Sequence, residues 1–223
     1  MLINVDLFFK ETEILQKLLL LLFTVAASTA VHAATFDFAA VADGDASYGA
    51  VPGEYGASSI TFTNDGITVT ATGTSTIDDD AFQFAYLDST WTHSGGGGEG
   101  GLGVCADLSV DQCMPSSDDN VTIGETLVLT FSQEVIITGI TFRDGAHNPV
   151  FGEGAVFGLV VDGDNKADQE LTFNNTRSRQ GTSFEFSNDN ASAADPYRFY
   201  MSALTVTAVP VPPAVWLFAS GLL

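Results

Sequence analysis

The chain has 223 residues, a formal net charge of −21, and only 7 lysines and arginines against 28 aspartates and glutamates. Such one-sided acidity repels phosphate backbones and anionic lipid headgroups, which excludes nucleic acid as a partner. The 17 phenylalanines and many β-branched residues supply enough apolar surface for a packed core, which excludes general disorder.

Residues 1–33 have the pattern of a secretory signal peptide. Lys17 precedes an apolar run that begins with the five leucines Leu18–Leu22. Small residues around position 33 predict cleavage between Ala33 and Ala34. Because the run is shorter than the roughly 20 apolar residues of a membrane span, we expect cleavage and export through the inner membrane.

Residues 34–208 have the pattern of one all-β domain. Alternating and β-branched runs are separated by Gly, Asn, Asp and Ser clusters, and Asn64-Asp65-Gly66 is a hairpin signal between two of them. Many short strands predict an antiparallel β-sandwich or jelly roll. The predicted strands are Thr35–Val41, Ser59–Thr63, Ile67–Thr72, Phe82–Leu87, Thr126–Phe131, Val135–Phe142, Val156–Val161, Glu170–Phe173, Ser183–Phe186 and Arg198–Val206.

Two stretches break this pattern and are predicted as loops. Ser94–Gly103 reads SGGGGEGGLG, a composition typical of a linker or a long surface loop. Gln180–Pro196 is rich in Ser, Asn, Asp and Ala, and it is interpreted as loop around the short strand predicted within it.

The two cysteines, Cys105 and Cys113, lie eight positions apart. An exported chain meets an oxidising compartment, where an even cysteine count indicates a disulfide. The alternative is a metal site, but two thiolates without a neighbouring histidine make a poor zinc set. We therefore expect a disulfide that closes a short loop.

Catalytic patterns are weak in this sequence. His147 and Asp144 would need a serine to form a triad, yet no nucleophile elbow is present, so His147 is interpreted as a surface-turn residue. Glycoside hydrolysis needs two placed carboxylates, and 28 acidic residues nominate no pair. The sequence therefore favours a protein that is not an enzyme.

Calcium is the one cofactor that the sequence suggests. Asp162, Asp164 and Asp168 place carboxylates on one turn, which suits an ion that binds oxygen ligands, although Lys166 competes for them. The alternative is a solvated acidic turn. A second acidic cluster comprises Asp118, Asp119 and Asn120, with Glu125 or Asp144 as further members.

Carbohydrate binding would use exposed aromatic side chains that stack on sugar rings. Trp91, just before the glycine-rich stretch, is the first candidate, and Tyr86 and Tyr200 are further ones. The alternative for Trp91 is a place at the edge of the core, since tryptophan is usually largely buried.

The C-terminal residues 209–223 combine a proline-rich segment with an apolar run. Val209, Pro210 and Pro212 lead into Trp216-Leu217-Phe218-Ala219-Ser220-Gly221-Leu222-Leu223. This arrangement resembles the PEP-CTERM sorting signal of Gram-negative bacteria, in which a Val-Pro-x-Pro element precedes a membrane helix and a basic tail. The run from Ala214 spans about half a bilayer, so we expect the signal to be truncated at Leu223, with further apolar residues and a basic cluster encoded beyond it.

The resemblance implies recognition by an exosortase-type protease, with cleavage close to Pro210–Pro212 and a transient membrane anchor through the C-terminal helix. It also implies delivery to the cell surface or extracellular matrix of bacteria that make polysaccharide. The stretch from Gly100 to His147 more loosely resembles a β-domain that recurs among such proteins and has no secure activity.

Together these features predict an exported, non-catalytic surface or matrix protein that binds polysaccharide. Two alternatives are a secreted hydrolase acting on glycans and a spacer or adhesin without a ligand. A carboxylate or histidine site with shifted pKa values in a cleft would favour the hydrolase. A flat strip of exposed aromatic residues would favour the binding protein.

Overall fold

The computed structural model describes residues 32–76, 82–90, 98–188 and 198–210. Over these ranges the chain forms fourteen strands and one short helix, and the ladders between the strands are antiparallel. The predicted all-β fold is confirmed. The elements are β1 (Ala33–Asp37), α1 (Phe38–Ala42), β2 (Tyr55–Ala57), β3 (Ile60–Asn64), β4 (Ile67–Ser75), β5 (Phe82–Asp88), β6 (Gly101–Cys105), β7 (Leu108–Ser109), β8 (Gln112–Cys113), β9 (Glu125–Asp144), β10 (Val156–Val161), β11 (Asp164–Glu170), β12 (Asn174–Asn175), β13 (Arg179–Ser187) and β14 (Phe199–Ala208).

Strand β9 is 20 residues long and organises the sheet. Its first part pairs with β4 on one side and β13 on the other, and its second part pairs with β14, β12 and the start of β13. The sheet continues from β14 through β6, β5 and β4 back to β9. The strands therefore follow a closed path, with β1 added beside β14, and β10 and β11 beyond β13.

The core fills the inside of this path. Alternate residues of β9 are buried, as the two-residue period of a strand requires. Phe142 packs against Phe157 and Phe199, with ring centroids 5.1 and 5.4 Å away. Each fully buried phenylalanine side chain contributes about 2–3 kcal/mol of apolar transfer free energy, so this cluster joins β9, β10 and β14.

Helix α1 occupies part of the predicted strand Thr35–Val41, so that prediction is wrong beyond Asp37. The Asp37 carboxylate accepts a hydrogen bond from the amide of Ala40 at 2.9 Å and caps the helix. The helix buries Phe38, whose ring lies 4.8 Å from that of Phe62. The Asp37 cap thus starts a short helix at the point where the sequence predicted that the strand would continue.

Two strand boundaries also differ from the prediction. The strands predicted at Thr126–Phe131 and Val135–Phe142 are one continuous strand, β9, which passes through three exposed residues at 132–134. In place of the strand predicted at Glu170–Phe173, β11 ends at Glu170 because it pairs with β10 through a tight turn at 162–163.

The glycine-rich stretch Ser94–Gly103 is no linker where the structure describes it. Gly101–Cys105 forms the buried strand β6. A Cβ on Gly103 would lie 2.1 Å from the carbonyl oxygen of Asp119, so glycine permits a close approach of two backbones. The strand predicted at Ser183–Phe186 is confirmed within β13, which is longer than predicted, so the loop prediction for Gln180–Pro196 is wrong for the residues of β13 on either side of it.

Several predicted features lie outside the described residues. These are residues 1–31 of the signal peptide, Trp91, and the sorting residues Pro212, Trp216, Leu217, Phe218, Ser220 and Gly221. The predicted signal cleavage site is described, since Ala33 and Ala34 begin β1 and pair with Thr207 and Val206 of β14. Among the described residues, none of the helices has the length and apolar character needed to span a membrane.

The two cysteines are joined, with an S–S distance of 1.99 Å between Cys105 and Cys113. The bond connects the end of β6 to β8, and both cysteines are buried against Tyr86 and Leu108. The β7–β8 hairpin is therefore fixed to the sheet by a covalent link and a small apolar cluster.

Replacing both Cys105 and Cys113 with serine should lower the free energy of unfolding by about 2–3 kcal/mol, because the closed loop restricts the unfolded chain. Urea denaturation of the two proteins measures this loss. Mass spectrometry of non-reduced peptides from the exported protein gives an independent check, and two thiols in that protein would contradict the assignment.

Candidate functional site

A cleft of about 390 Å³ opens where β5 ends and β14 begins. Most of its lining residues have polar side chains, and the segment before β2, the segment before β9 and the turn after β9 all contribute. The lining residues are the carboxylates Glu54, Asp88 and Asp119, the hydroxyl residues Ser89, Thr90, Ser116, Ser117 and Tyr200, and Asn120, Gly145, Ala146, His147 and Arg198.

An ion pair between Asp88 and His147 lies at the base of the cleft. His147 Nε2 is 2.8 Å from Asp88 Oδ2, and His147 Nδ1 is 3.1 Å from the carbonyl oxygen of Gly98. Both ring nitrogens face acceptors, so the geometry requires a doubly protonated imidazolium. Burial by itself would lower the pKa of His147, but the hydrogen bond and negative charge of Asp88 outweigh it and raise that pKa.

The turn after β9 aims His147 into the cleft. Asp144 Oδ1 accepts hydrogen bonds from the amides of Ala146 and Asn148, at 2.9 and 2.7 Å. His147 itself has a left-handed backbone, with φ of 66°. This conformation is uncommon outside glycine, and the carboxylate of Asp144 stabilises the turn that requires it.

A second buried group joins Asp119, Asn120 and Tyr200. The Tyr200 hydroxyl donates a hydrogen bond to Asp119 Oδ1, and Asn120 Nδ2 donates to the same oxygen at 3.2 Å. Burial, supported by the negative charge of Asp88, raises the pKa of Asp119 to about 6 against the opposing effect of the Tyr200 hydrogen bond. The cleft therefore holds a carboxyl group that changes charge near neutral pH.

Glu54 forms the opposite wall and depends on the disulfide cluster. Its Oε1 accepts from the Tyr86 hydroxyl at 2.8 Å, and its Oε2 accepts from the Ser89 hydroxyl at 2.7 Å. Gln112, next to Cys113, donates to the Glu54 carbonyl oxygen at 2.9 Å. The β7–β8 hairpin thus positions a carboxylate of the cleft.

Glycines form the contact between the segment before β6 and the cleft. A Cβ on Gly98 would lie 1.9 Å from the carbonyl oxygen of His147, and one on Gly100 would lie 2.1 Å from that of Asp88. Any side chain at these positions would push apart the two halves of the ion pair. Glycine at these two positions is therefore a packing requirement of the site.

The arrangement does not form a serine-type catalytic triad. Both nitrogens of His147 are engaged by Asp88 and Gly98, so neither is available to take a proton from a serine. The interpretation of His147 as a surface-turn residue is also wrong, because the side chain is 7% exposed and lies against the ring of Tyr200.

The predicted calcium turn has another local role. Asp162 Oδ1 accepts from the Thr182 amide and hydroxyl and from the Ser183 amide, at 2.8–2.9 Å. These bonds lower the pKa of Asp162. Asp164 lies beside Lys166, at 3.6 Å, and Asp168 is exposed on β11. Within the described ranges, no three acidic, cysteine or histidine residues are grouped as metal ligands would be.

The second predicted acidic cluster is divided between separate contacts. Asp119 and Asn120 belong to the cleft, whereas Glu125 Oε2 accepts from the Thr122 amide at 2.8 Å. Burial raises the pKa of Glu125 to about 7. Asp118 accepts from the Ala106 amide at 3.2 Å, and Asp144 stabilises its own turn.

The tyrosines considered as exposed sugar-stacking residues are buried. Tyr86 is 2% exposed and Tyr200 is 1% exposed. Both point a hydroxyl at a carboxylate of the cleft, so their contribution is to hold Glu54 and Asp119 in place. Trp91 lies outside the described residues.

Comparisons with known proteins found no matching family model, no matching curated sequence and no matching solved structure. Function is therefore inferred from the cleft and from the sequence motifs.

The stability of the domain should fall as pH rises from about 5 to 8. Asp119, Glu125 and His147 all have raised pKa values, so the folded state binds protons more tightly than the unfolded chain does. The stabilisation that these protons provide is present below the unfolded pKa values and is lost as pH rises through the folded ones. Melting temperatures across this interval measure the effect.

Substitutions can separate the contributions of Asp119 and Glu125 to this pH dependence. Asp119→Asn should flatten the profile below about pH 6 and Glu125→Gln should flatten it below about pH 7, whereas the exposed Asp164→Asn serves as a control without effect. A melting temperature that rises across the interval would contradict the assignment.

Asp162→Ala should destabilise the protein by about 1 kcal/mol without calcium, because three hydrogen bonds to β13 are lost. Asp164→Ala should change stability by less than about 0.5 kcal/mol. If calcium binds this turn, it should raise the melting temperature of the wild type, and Asp164→Ala should abolish most of that rise. A wild-type melting temperature that is unchanged by millimolar calcium would contradict the calcium prediction.

Proposed function

We propose that this chain is an exported cell-surface or extracellular-matrix protein, and that its β-domain binds polysaccharide without catalysing a reaction. The observation that carries the proposal is the cleft lined by polar side chains, in which the carboxylates of Asp88, Glu54 and Asp119 are held by His147, Tyr86 and Tyr200. Sugars present many hydroxyl groups, and each of these donates and accepts a hydrogen bond. A pocket of this volume with positioned polar groups is the usual form of a small-ligand site.

Export and sorting in this proposal follow from the sequence motifs. Signal peptidase would cleave between Ala33 and Ala34, and an exosortase-type protease would recognise Val209, Pro210 and the motif that follows them. The chain enters and leaves the domain side by side, because the amide of Ala208 donates to the His32 carbonyl oxygen at 2.9 Å. This arrangement is compatible with processing at both ends of one folded domain.

For the fold, the proposal retains a β-sandwich of the jelly-roll kind. The feature that supports it is β9, whose two parts pair with different strands, as expected for a strand that passes from one layer to another.

Filling the cleft should abolish glycan binding. Ala146 is exposed on the cleft wall, and Ala146→Trp adds bulk there without removing either buried pair. We expect the wild-type domain to bind members of a polysaccharide array and Ala146→Trp to lose that binding. Ala167→Trp, at an exposed position on β11, is the matched control and should bind as the wild type does.

Absence of binding to any polysaccharide would contradict the proposal and would favour a spacer or adhesin without a carbohydrate ligand. Equal binding by Ala146→Trp would place the glycan contact elsewhere on the domain.

A secreted glycan hydrolase is the second candidate, favoured by one observation. Asp119 has a raised pKa in a cleft that also holds Asp88, which is engaged by the charged His147. Two carboxyl groups in different environments are what acid-base glycoside hydrolysis requires. Release of new reducing ends from a bound glycan, and its loss in Asp119→Asn, would identify a hydrolase and overturn the non-catalytic proposal.

A further inference from the structure

We propose that the cleft selects polysaccharides that carry free amino groups, so that its ligand is a hexosamine polymer and not an acidic one. This inference rests on the proposed binding function and specifies the chemical class of its ligand. It is carried by the hydrogen-bonding capacity and the charge of the residues that line the cleft.

Several acceptor oxygens of the described lining have unused hydrogen-bonding capacity. Each carboxylate oxygen of Glu54 accepts one bond within the described structure, although such an oxygen has room for about two. Asn120 is 1% exposed, lines the cleft, and has no partner for Oδ1 among the described residues. A buried acceptor without a donor costs free energy that an incoming N–H group would recover.

Among the described lining residues, one side chain is a cationic donor with spare capacity. His147 spends both nitrogens on Asp88 and Gly98, whereas Arg198 donates one bond, to the Ser117 carbonyl oxygen at 3.4 Å. Beyond Arg198, the lining offers hydroxyl groups, which serve equally as donors and acceptors. An ammonium group has three donors and no acceptor, so it complements this surface better than a carboxylate or sulfate does.

The charges of the cleft and of the whole chain also favour a cationic ligand. The positive charge of His147 is neutralised by Asp88, which leaves Glu54 and Asp119 facing the single cation Arg198 among the described lining residues. The whole chain carries −21. The net charge of the chain repels an approaching polyanion at long range, and the carboxylates of the cleft repel it at short range. A polycation is attracted by both.

The test compares three oligosaccharides of equal length by isothermal titration calorimetry: a β-1,4-glucosamine oligomer, its fully N-acetylated form, and a uronic acid oligomer. The wild-type domain should bind the free-amine oligomer at least tenfold more tightly than the acetylated one, and the uronic acid oligomer least. Affinity for the free-amine form should fall with added salt, because it contains an ionic contribution.

Glu54→Gln should reduce affinity for the free-amine oligomer about tenfold, because a hydrogen bond to a charged group is lost, and should change affinity for the acetylated form little. Glu134→Gln is the matched control, since Glu134 is exposed in the middle of β9, does not line the cleft and should leave both affinities unchanged. Asp119→Asn is a second variant that removes charge from the opposite wall and should act in the same direction.

Equal affinity for the free-amine and acetylated oligomers, or preference for the uronic acid oligomer, would overturn this inference and leave the proposed binding function standing. Binding to none of the three, together with none on a wider array, would overturn both. The comparison of ligands uses the wild-type protein, so the inference remains testable even if a variant fails to fold.

Discussion

Strand β9 shares hydrogen bonds with β4, β12, β13 and β14, and the rest of the fold depends on this sharing. Its first part continues the sheet toward β4, while its second part reaches β14, so the path of strands closes without an exposed break between them. Closure brings the end of β5, the start of β14 and the turn after β9 to one end of the domain. The cleft lies at this end, between these three chain segments and the segments before β2 and β9, and its position follows from the pairing of β9.

Within the cleft, the free-energy cost of burying charged side chains is opposed by the attraction between opposite charges. Removing a histidine and a carboxylate from water is costly, and the Asp88–His147 pair is retained because each group supplies the other's counter-charge. Asp119 has no such partner among the described residues. Burial, with the negative charge of Asp88, raises the pKa of Asp119, and the hydrogen bonds from Tyr200 and Asn120 oppose that rise. Asp88 and Asp119 line the same cleft but are compensated in different ways, one by a cation and the other by neutral donors.

Local signals in the sequence predicted the local parts of this structure. The Asp65-Gly66 turn has two positive φ values, 47° and 77°, as its composition requires, and β10 spans the residues predicted from its β-branched pattern. Long-range contacts had no comparable signal. Asp88 and His147 are 59 positions apart (147 − 88), and no sequence pattern around either residue predicts that they are in contact. The glycine run indicated a loop by composition, whereas Gly98 and Gly100 lie against the backbones of His147 and Asp88, contacts that only the folded chain reveals.

Strand β14 is ten residues long, and its two ends have different neighbours. Tyr200, near its start, lies in the cleft, whereas Ala208, at its end, lies beside His32, where the chain enters the domain. Ten residues at about 3.3 Å each place these two ends on the order of 30 Å apart. A covalent attachment made just after β14 would therefore hold the domain at one end of this strand and leave the cleft at the other.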